Sequence, residues 1–231
     1  MNLTQRQAVG ISSFLIGSII LGSGAFAYTR SRQARLRAEA QSALYAAEKV
    51  VTGEFQALAT KKFPNSKDGM LHASFVPCDV TVEYSQSIEK LRAITKDFPR
   101  SVQAHEALLR IANLYFDHKQ YEKAAPIFAE AAHIAPSAFE KAADYAAEGT
   151  SYENCAQYTQ AIDAFTRSLH MGEGSVRADV MMALARVYSA AKDNNTARSM
   201  YDNIVAEFPD SDEAKMANLR RSMLPPELHN P

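Results

Sequence analysis

The chain has 231 residues and a formal net charge of −1, with 25 lysines and arginines against 26 acids. That balance excludes a nucleic-acid binder, which needs a basic footprint. Two cysteines exclude a disulfide framework, and the scarcity of glycine and proline, nine of each, favours an alanine-rich helical protein of one or two domains.

A short tail, residues 1–6, precedes a stretch from Gln7 to Thr29 without a charged residue. As a helix this stretch spans ~34 Å, against a hydrocarbon core of ~30 Å. The expectation is a single transmembrane helix over 7–29. Ala25-Phe26-Ala27 also fits an A-x-A cleavage pattern, which would release the chain to the periplasm after cutting near Ala27. Arg30, Arg32, Arg35 and Arg37 follow at once, and a basic start to a mature chain hinders export, which favours the uncleaved anchor. By the positive-inside rule the same arginines place the rest of the chain in the cytoplasm. Ser13/Gly17 and Ser18/Gly22 are spaced as close-packing pairs, but glycine and serine are common in membrane helices anyway. Gly22-Ser23-Gly24 follows no strand, so it is no dinucleotide fingerprint.

Residues 30–62 read as a long amphipathic helix. Leu36, Ala40, Leu44, Ala47, Val51, Phe55 and Leu58 form one apolar stripe. The stripe is expected to dock on the repeats as an N-terminal cap rather than to form a dimer seam. Residues 63–83 read as an irregular connector or degenerate repeat, because Pro77 and the Val80-Thr81-Val82 run discourage a continuous helix. The phrase Phe-Pro-x-Ser occurs at Phe63, Phe98 and Phe208. Its proline ends one helix and its serine oxygen can cap the next. Ser137 with Glu140 has the spacing of a capping box.

Residues 84–222 carry a repeat. His105 to Pro136 reads as one helix–turn–helix unit. Leu108, Ile111, Ala112 and Tyr115 lie on its first helix, and Tyr121, Ala124, Phe128 and Ala131 on its second, with a turn at Lys119–Gln120. A shift of 37 carries Tyr115, Tyr121, Ala124 and Phe128 onto Tyr152, Tyr158, Ala161 and Phe165. A further 36 carries Tyr152, Ala161 and Phe165 onto Tyr188, Ala197 and Tyr201. Going back by 37, Ala124, Phe128 and Pro136 become Ser87, Leu91 and Pro99. A lone hairpin cannot bury such faces, so the pattern requires stacked neighbours. Residues 211–222 read as a short capping helix and 223–231 as a frayed tail.

This order of small and aromatic residues, at a period near that of the family, resembles the tetratricopeptide repeat (TPR) family over about residues 84–220. The match is sharpest in 105–136 and 178–209. It is looser in 142–173, where Glu148 stands for an apolar residue and Glu173 for the terminal proline. The expected fold class is all-α: an N-terminal transmembrane helix followed by a TPR α-solenoid of about three to four helix–turn–helix repeats. The resemblance implies a concave groove lined by the first helix of each hairpin. Its positions here are Glu106, Leu109, Asn113, Phe116 and Asp117, then Ala146, Thr150, Glu153 and Asn154, then Asp179, Met182 and Arg186. Four acids against one arginine suit an extended or partly unfolded protein segment of some basic character. The carboxylate clamp of some TPR proteins does not fit. Asn113 suits one of its positions, but Leu109, Thr150, Asp179 and Ala183 do not suit the others.

No chemistry competes with a binding role. The six histidines show no i, i+4 pair, and there is no Cys-x-x-Cys, phosphate loop or nucleophile elbow, so no metal, cofactor or catalytic residue is expected. Cys78 and Cys155 read as small apolar fillers. The order of anchor, long alanine-rich helix with Ala43-Leu44-Tyr45, and repeats joined by Phe-Pro-x-Ser resembles the ancillary subunit family of the bacterial SecYEG translocon. That resemblance implies a single-pass inner-membrane protein with its repeats in the periplasm, binding secreted chains beside the translocon, with chaperones as further partners. The alternative is a structural scaffold subunit of a membrane-associated division, motility or secretion complex, which a homo-oligomer formed through the anchor and a fixed stoichiometric partner would favour.

Overall fold

In the computed structural model the described backbone covers residues 3–64, 77–171 and 174–225, with side chains described from Phe26 onward except 174 and 175. The chain divides into two compact units, Met1–Ser42 and Ala43–Pro231. Helix α1 runs over Leu3–Lys62. Its residues 26–39 are exposed. Among the described residues no helix is long and apolar enough to cross a membrane. Most of the expected span, residues 7–25, lies outside the residues with described side chains. The expected stripe also begins later than its sequence suggests. Leu36 is 44% exposed, whereas Ala40, Leu44, Ala47, Val51 and Leu58 are buried.

The second unit is a run of antiparallel helices. α2 (Val80–Glu83) and α3 (Ser85–Asp97) lead into α4 (Val102–Asp117) and α5 (Tyr121–Ile134). Two further hairpins follow, α6 (Ala138–Asn154) with α7 (Tyr158–Met171), and α8 (Gly174–Ala190) with α9 (Asn194–Glu207). α10 (Asp212–Ser222) is the last helix among the described residues. Each helix packs on its sequence neighbours, as in a solenoid. Much of the expected connector, residues 65–76, lies outside the described residues. The Val80-Thr81-Val82 run is one helical turn rather than extended chain. Asp79 accepts a hydrogen bond from the Thr81 amide at 3.0 Å and so caps it.

The helix starts are local. Ser101, Ser137 and Ser211 each accept a hydrogen bond from the amide three residues on, at 3.0, 3.2 and 3.0 Å. Ser137 also donates its hydroxyl to Glu140 Oε2 at 2.6 Å, so the two side chains of the capping-box pair meet directly. The hairpin turns repeat in the same way. Lys119, Ala156 and Lys192 have φ of 62°, 57° and 70°. The residue after each donates back to Tyr115, Tyr152 or Tyr188 at 2.8 to 2.9 Å. This is the left-handed helix stop that glycine fits best. Ala156→Gly is therefore expected to raise unfolding stability by about 0.5–1 kcal/mol, read by urea denaturation.

The core follows the repeat. Tyr84, Leu91, Leu108 and Ile111 pack with Val51 and Leu58 of α1, which docks the end of that helix on α3 and α4. Glu54 fastens the dock, accepting from the Ser87 amide at 3.1 Å and from the Ser87 hydroxyl. Ala112, Gly149 and Ala185 form one small-residue column, all buried. Phe128, Phe165 and Tyr201 form the large one on the second helices.

Candidate binding groove

α4, α6 and α8 are the first helices of successive hairpins. They present the residues expected to line a groove. Glu106, Asn113, Asp117, Asn154, Asp179 and Arg186 are exposed, and Leu109, Phe116, Ala146, Thr150, Glu153 and Met182 are half-buried. Not all of the latter are available to a partner. Phe116 stands edge-on to Tyr121 and Phe128, with centroids 5.1 and 6.3 Å away, and so locks its own hairpin. Thr150 donates to the Ala146 carbonyl at 2.9 Å, and Asn154 donates to the Thr150 carbonyl at 2.8 Å.

The structure joins two of the expected residues. Arg186 on α8 grips Glu153 on α6 with two hydrogen bonds, Nε to Oε1 at 2.5 Å and Nη2 to Oε2 at 2.7 Å. That grip raises the Arg186 pKa above its usual value. The pair bridges two repeats and cancels one acid of the groove, so Glu153 is not the solvated carboxylate its sequence position suggests. Glu106, Asp117 and Asp179 make no ion pair among the described residues and carry the remaining negative charge. Enough protein surrounds the Asp117 carboxyl to raise its pKa, although His118 and Arg110 pull it the other way.

Beneath this face lies a polar seam that sequence reasoning missed. His105 Nε2 on α4 is 2.7 Å from Asp144 Oδ2 on α6, and both side chains are about 95% buried. Glu148 is buried too, and accepts from Arg167 Nη2 of α7 at 2.9 Å. Arg167 lies over the Tyr145 ring at 4.4 Å and also meets Asp163 at 2.9 Å. Ser168 donates to the Ala142 carbonyl at 2.6 Å. Burial raises the pKa of Asp144 and of Glu148, against the opposing hydrogen bonds from His105 and Arg167. Glu148 thus keeps the inward position of an apolar residue, and Arg167 is what makes that position tolerable. The only signal in the sequence was a charge where the repeat expects an apolar side chain.

Among the described residues no group of histidines, cysteines and acids could hold a metal ion. Cys155 ends α6 with its thiol on the Ser151 and Tyr152 carbonyls, both at 3.4 Å, and Cys78 packs at the edge of the first core.

A family model for the tetratricopeptide repeat matches residues 106–138 and 179–211. The chain therefore carries TPR repeats in these segments, within an all-α, solenoid-like fold. No curated protein matches it. Among solved structures, the nearly identical TPR-like repeats of a Podosopora anserina putative kinesin light chain are 13% identical at a TM-score of 0.50, covering 62% of this chain and 77% of that one. BtubC (BKLC) from P. vanneervenii is 12% identical at a TM-score of 0.51, covering 80% of this chain and 82% of that one. These likenesses show the fold and nothing finer. TPR modules generally bind other proteins and are non-catalytic.

Proposed function

We propose that this chain is a membrane-anchored interaction module whose α4–α6–α8 face binds extended segments of other proteins, serving secretion or envelope protein folding beside the translocon. The observation that carries the binding role is the row of exposed acids, Glu106, Asp117 and Asp179, on the first helices of stacked TPR hairpins. A solenoid offers such a face as an extended surface, and its charge suits a segment with basic residues. The anchor and the translocon rest on the sequence alone: the uncharged stretch Gln7 to Thr29 and the order of parts after it.

Two experiments test this. Replacing Glu106, Asp117 and Asp179 together by alanine is expected to weaken capture of a basic, unfolded client peptide roughly tenfold, since three exposed charges contribute on the order of 1.4 kcal/mol in sum. Unchanged capture by a folded triple variant sinks the groove. Glu153 is left out of the set, because its loss would free Arg186 and disturb the packing of α6 on α8. Sidedness is read by a reporter fused after Pro231. Activity of an enzyme that works only in the periplasm supports the translocon reading, which runs against the pull of Arg30, Arg32, Arg35 and Arg37. Cytoplasmic fluorescence removes it and leaves the face to cytoplasmic machinery.

A further inference from the structure

A helix at the end of a stacked run is expected to show water a polar outer face. α10, the last helix among the described residues, does so only in part: Asp212, Lys215, Asn218 and Arg220 are exposed, but three large apolar side chains are exposed among them. Met216, Leu219 and Met223 are 44%, 49% and 70% exposed. They fall within about 60° of one another around the helix, on the side away from the buried Ala214 and Ala217. Their spacing of three and four residues is that of a coiled-coil seam.

We propose that this stripe is a homodimer surface, on which α10 packs antiparallel against the same helix of a second copy. The charges beside the stripe choose both the occupant and the direction. Glu213 and Arg220 line one flank, and Lys215 and Ser222 line the other. A parallel pair would set Lys215 beside the partner's Arg220, which repels. An antiparallel pair sets Glu213 beside the partner's Arg220, Arg220 beside the partner's Glu213, and Met216 against the partner's Leu219. Glu213 and Arg220 make no ion pair among the described residues. Asp212 and Arg221 are already engaged, with Lys215 at 2.8 Å and Asp202 at 2.6 Å. The helix ends agree, since α10 has acids in its first turn and arginines in its last, and antiparallel dipoles attract. The seam is short, so the dimer is weak, with a dissociation constant on the order of tens of micromolar for an interface well below the ~1,600 Å² standard.

Sedimentation equilibrium of the full chain, solubilised in detergent and spanning about 5–500 µM, tests this. The wild type should pass from monomer to dimer. M216E/L219E should stay monomeric with an unchanged helical circular dichroism spectrum. E213R and R220E should each loosen the dimer roughly tenfold, and E213R/R220E together should restore it. A wild type that stays monomeric over the range overturns the proposal. So does a dimer that M216E/L219E leaves intact, because it would be held elsewhere, or a charge swap that fails to rescue.

Discussion

Gly149→Val is expected to cost the repeat unit several kcal/mol, and Gly149→Ala about 1–2 kcal/mol. A Cβ at Gly149 would sit 2.8 to 2.9 Å from three ring carbons of Phe165. The ring cannot yield cheaply. Phe165 is 1% exposed and belongs to the core that joins α6, α7 and α8. Overpacking of this kind costs about 1–3 kcal/mol per added group. Alanine recovers up to ~1 kcal/mol through its better helix propensity, whereas valine brings two more carbons and a stiff χ1. Urea denaturation of both variants checks the size. Phe165→Leu in the Gly149→Ala background should recover part of the loss, because the coupling is one contact between two side chains. Full additivity of the two substitutions would show that the ring is not what Gly149 makes room for. Ala112 and Ala185 hold the same place in the neighbouring hairpins, so one helix pair approaches more closely than the two beside it.

Asp144→Ala is expected to cost about 3 kcal/mol, the usual loss when one partner of a buried polar pair is removed and the other is stranded. Its partner, His105, lies on a different hairpin, so the loss falls on the packing of α4 against α6. Asp144→Asn keeps a hydrogen-bonding group of the same shape and should cost less. The pair also sets a pH dependence. Burial raises the folded pKa of Asp144 and of Glu148 above the ordinary carboxylate value of about 4. Between that value and the raised one, the folded chain binds more protons than the unfolded chain. The contribution of these two groups to stability therefore grows as pH falls through this window and is lost as pH rises through it. Glu148 has a further reason to favour its proton, since Oε2 is buried with no hydrogen-bond partner among the described residues. Stability measured from pH 7.5 down to about 4.5 should show this slope in the wild type and a flatter course in D144N/E148Q. The same slope in both proteins would place its origin elsewhere.

Much of the fold was legible because it is local. Ser101, Ser137 and Ser211 reach amides three residues away, and the turn expected at Lys119–Gln120 closes with a bond from Gln120 to Tyr115. The matching stops at Ala156 and Lys192 carry no such signal, since neither residue favours a positive φ. The columns through Ala124, Ala161 and Ala197 and through Phe128, Phe165 and Tyr201 showed in the sequence as a repeated spacing. Their packing against one another depends only on residue size, which a sequence displays directly. The groove was legible as a set of positions, but not as an electrostatic surface. Glu153 and Arg186 stood in the sequence as two exposed charges 33 residues apart, and their grip leaves the unpaired negative charge of the face on Glu106, Asp117 and Asp179.

Periodicity and capping residues alone show that this chain stacks helical hairpins, where the serine-capped helices start, and that alanines such as Ala112 and Ala124 let them approach. Each of these follows from caps, turns and side-chain volumes that act within a repeat or copy themselves from one repeat to the next. Only the tertiary structure decided which polar side chains are inside. Polarity alone marks His105, Asp144 and Glu148 as surface residues. They are buried because the stacking brings a partner across from another helix, and that partner offsets the cost of leaving water. The tertiary structure also decided that Met216, Leu219 and Met223 face outward, since no helix follows α10 among the described residues to cover them.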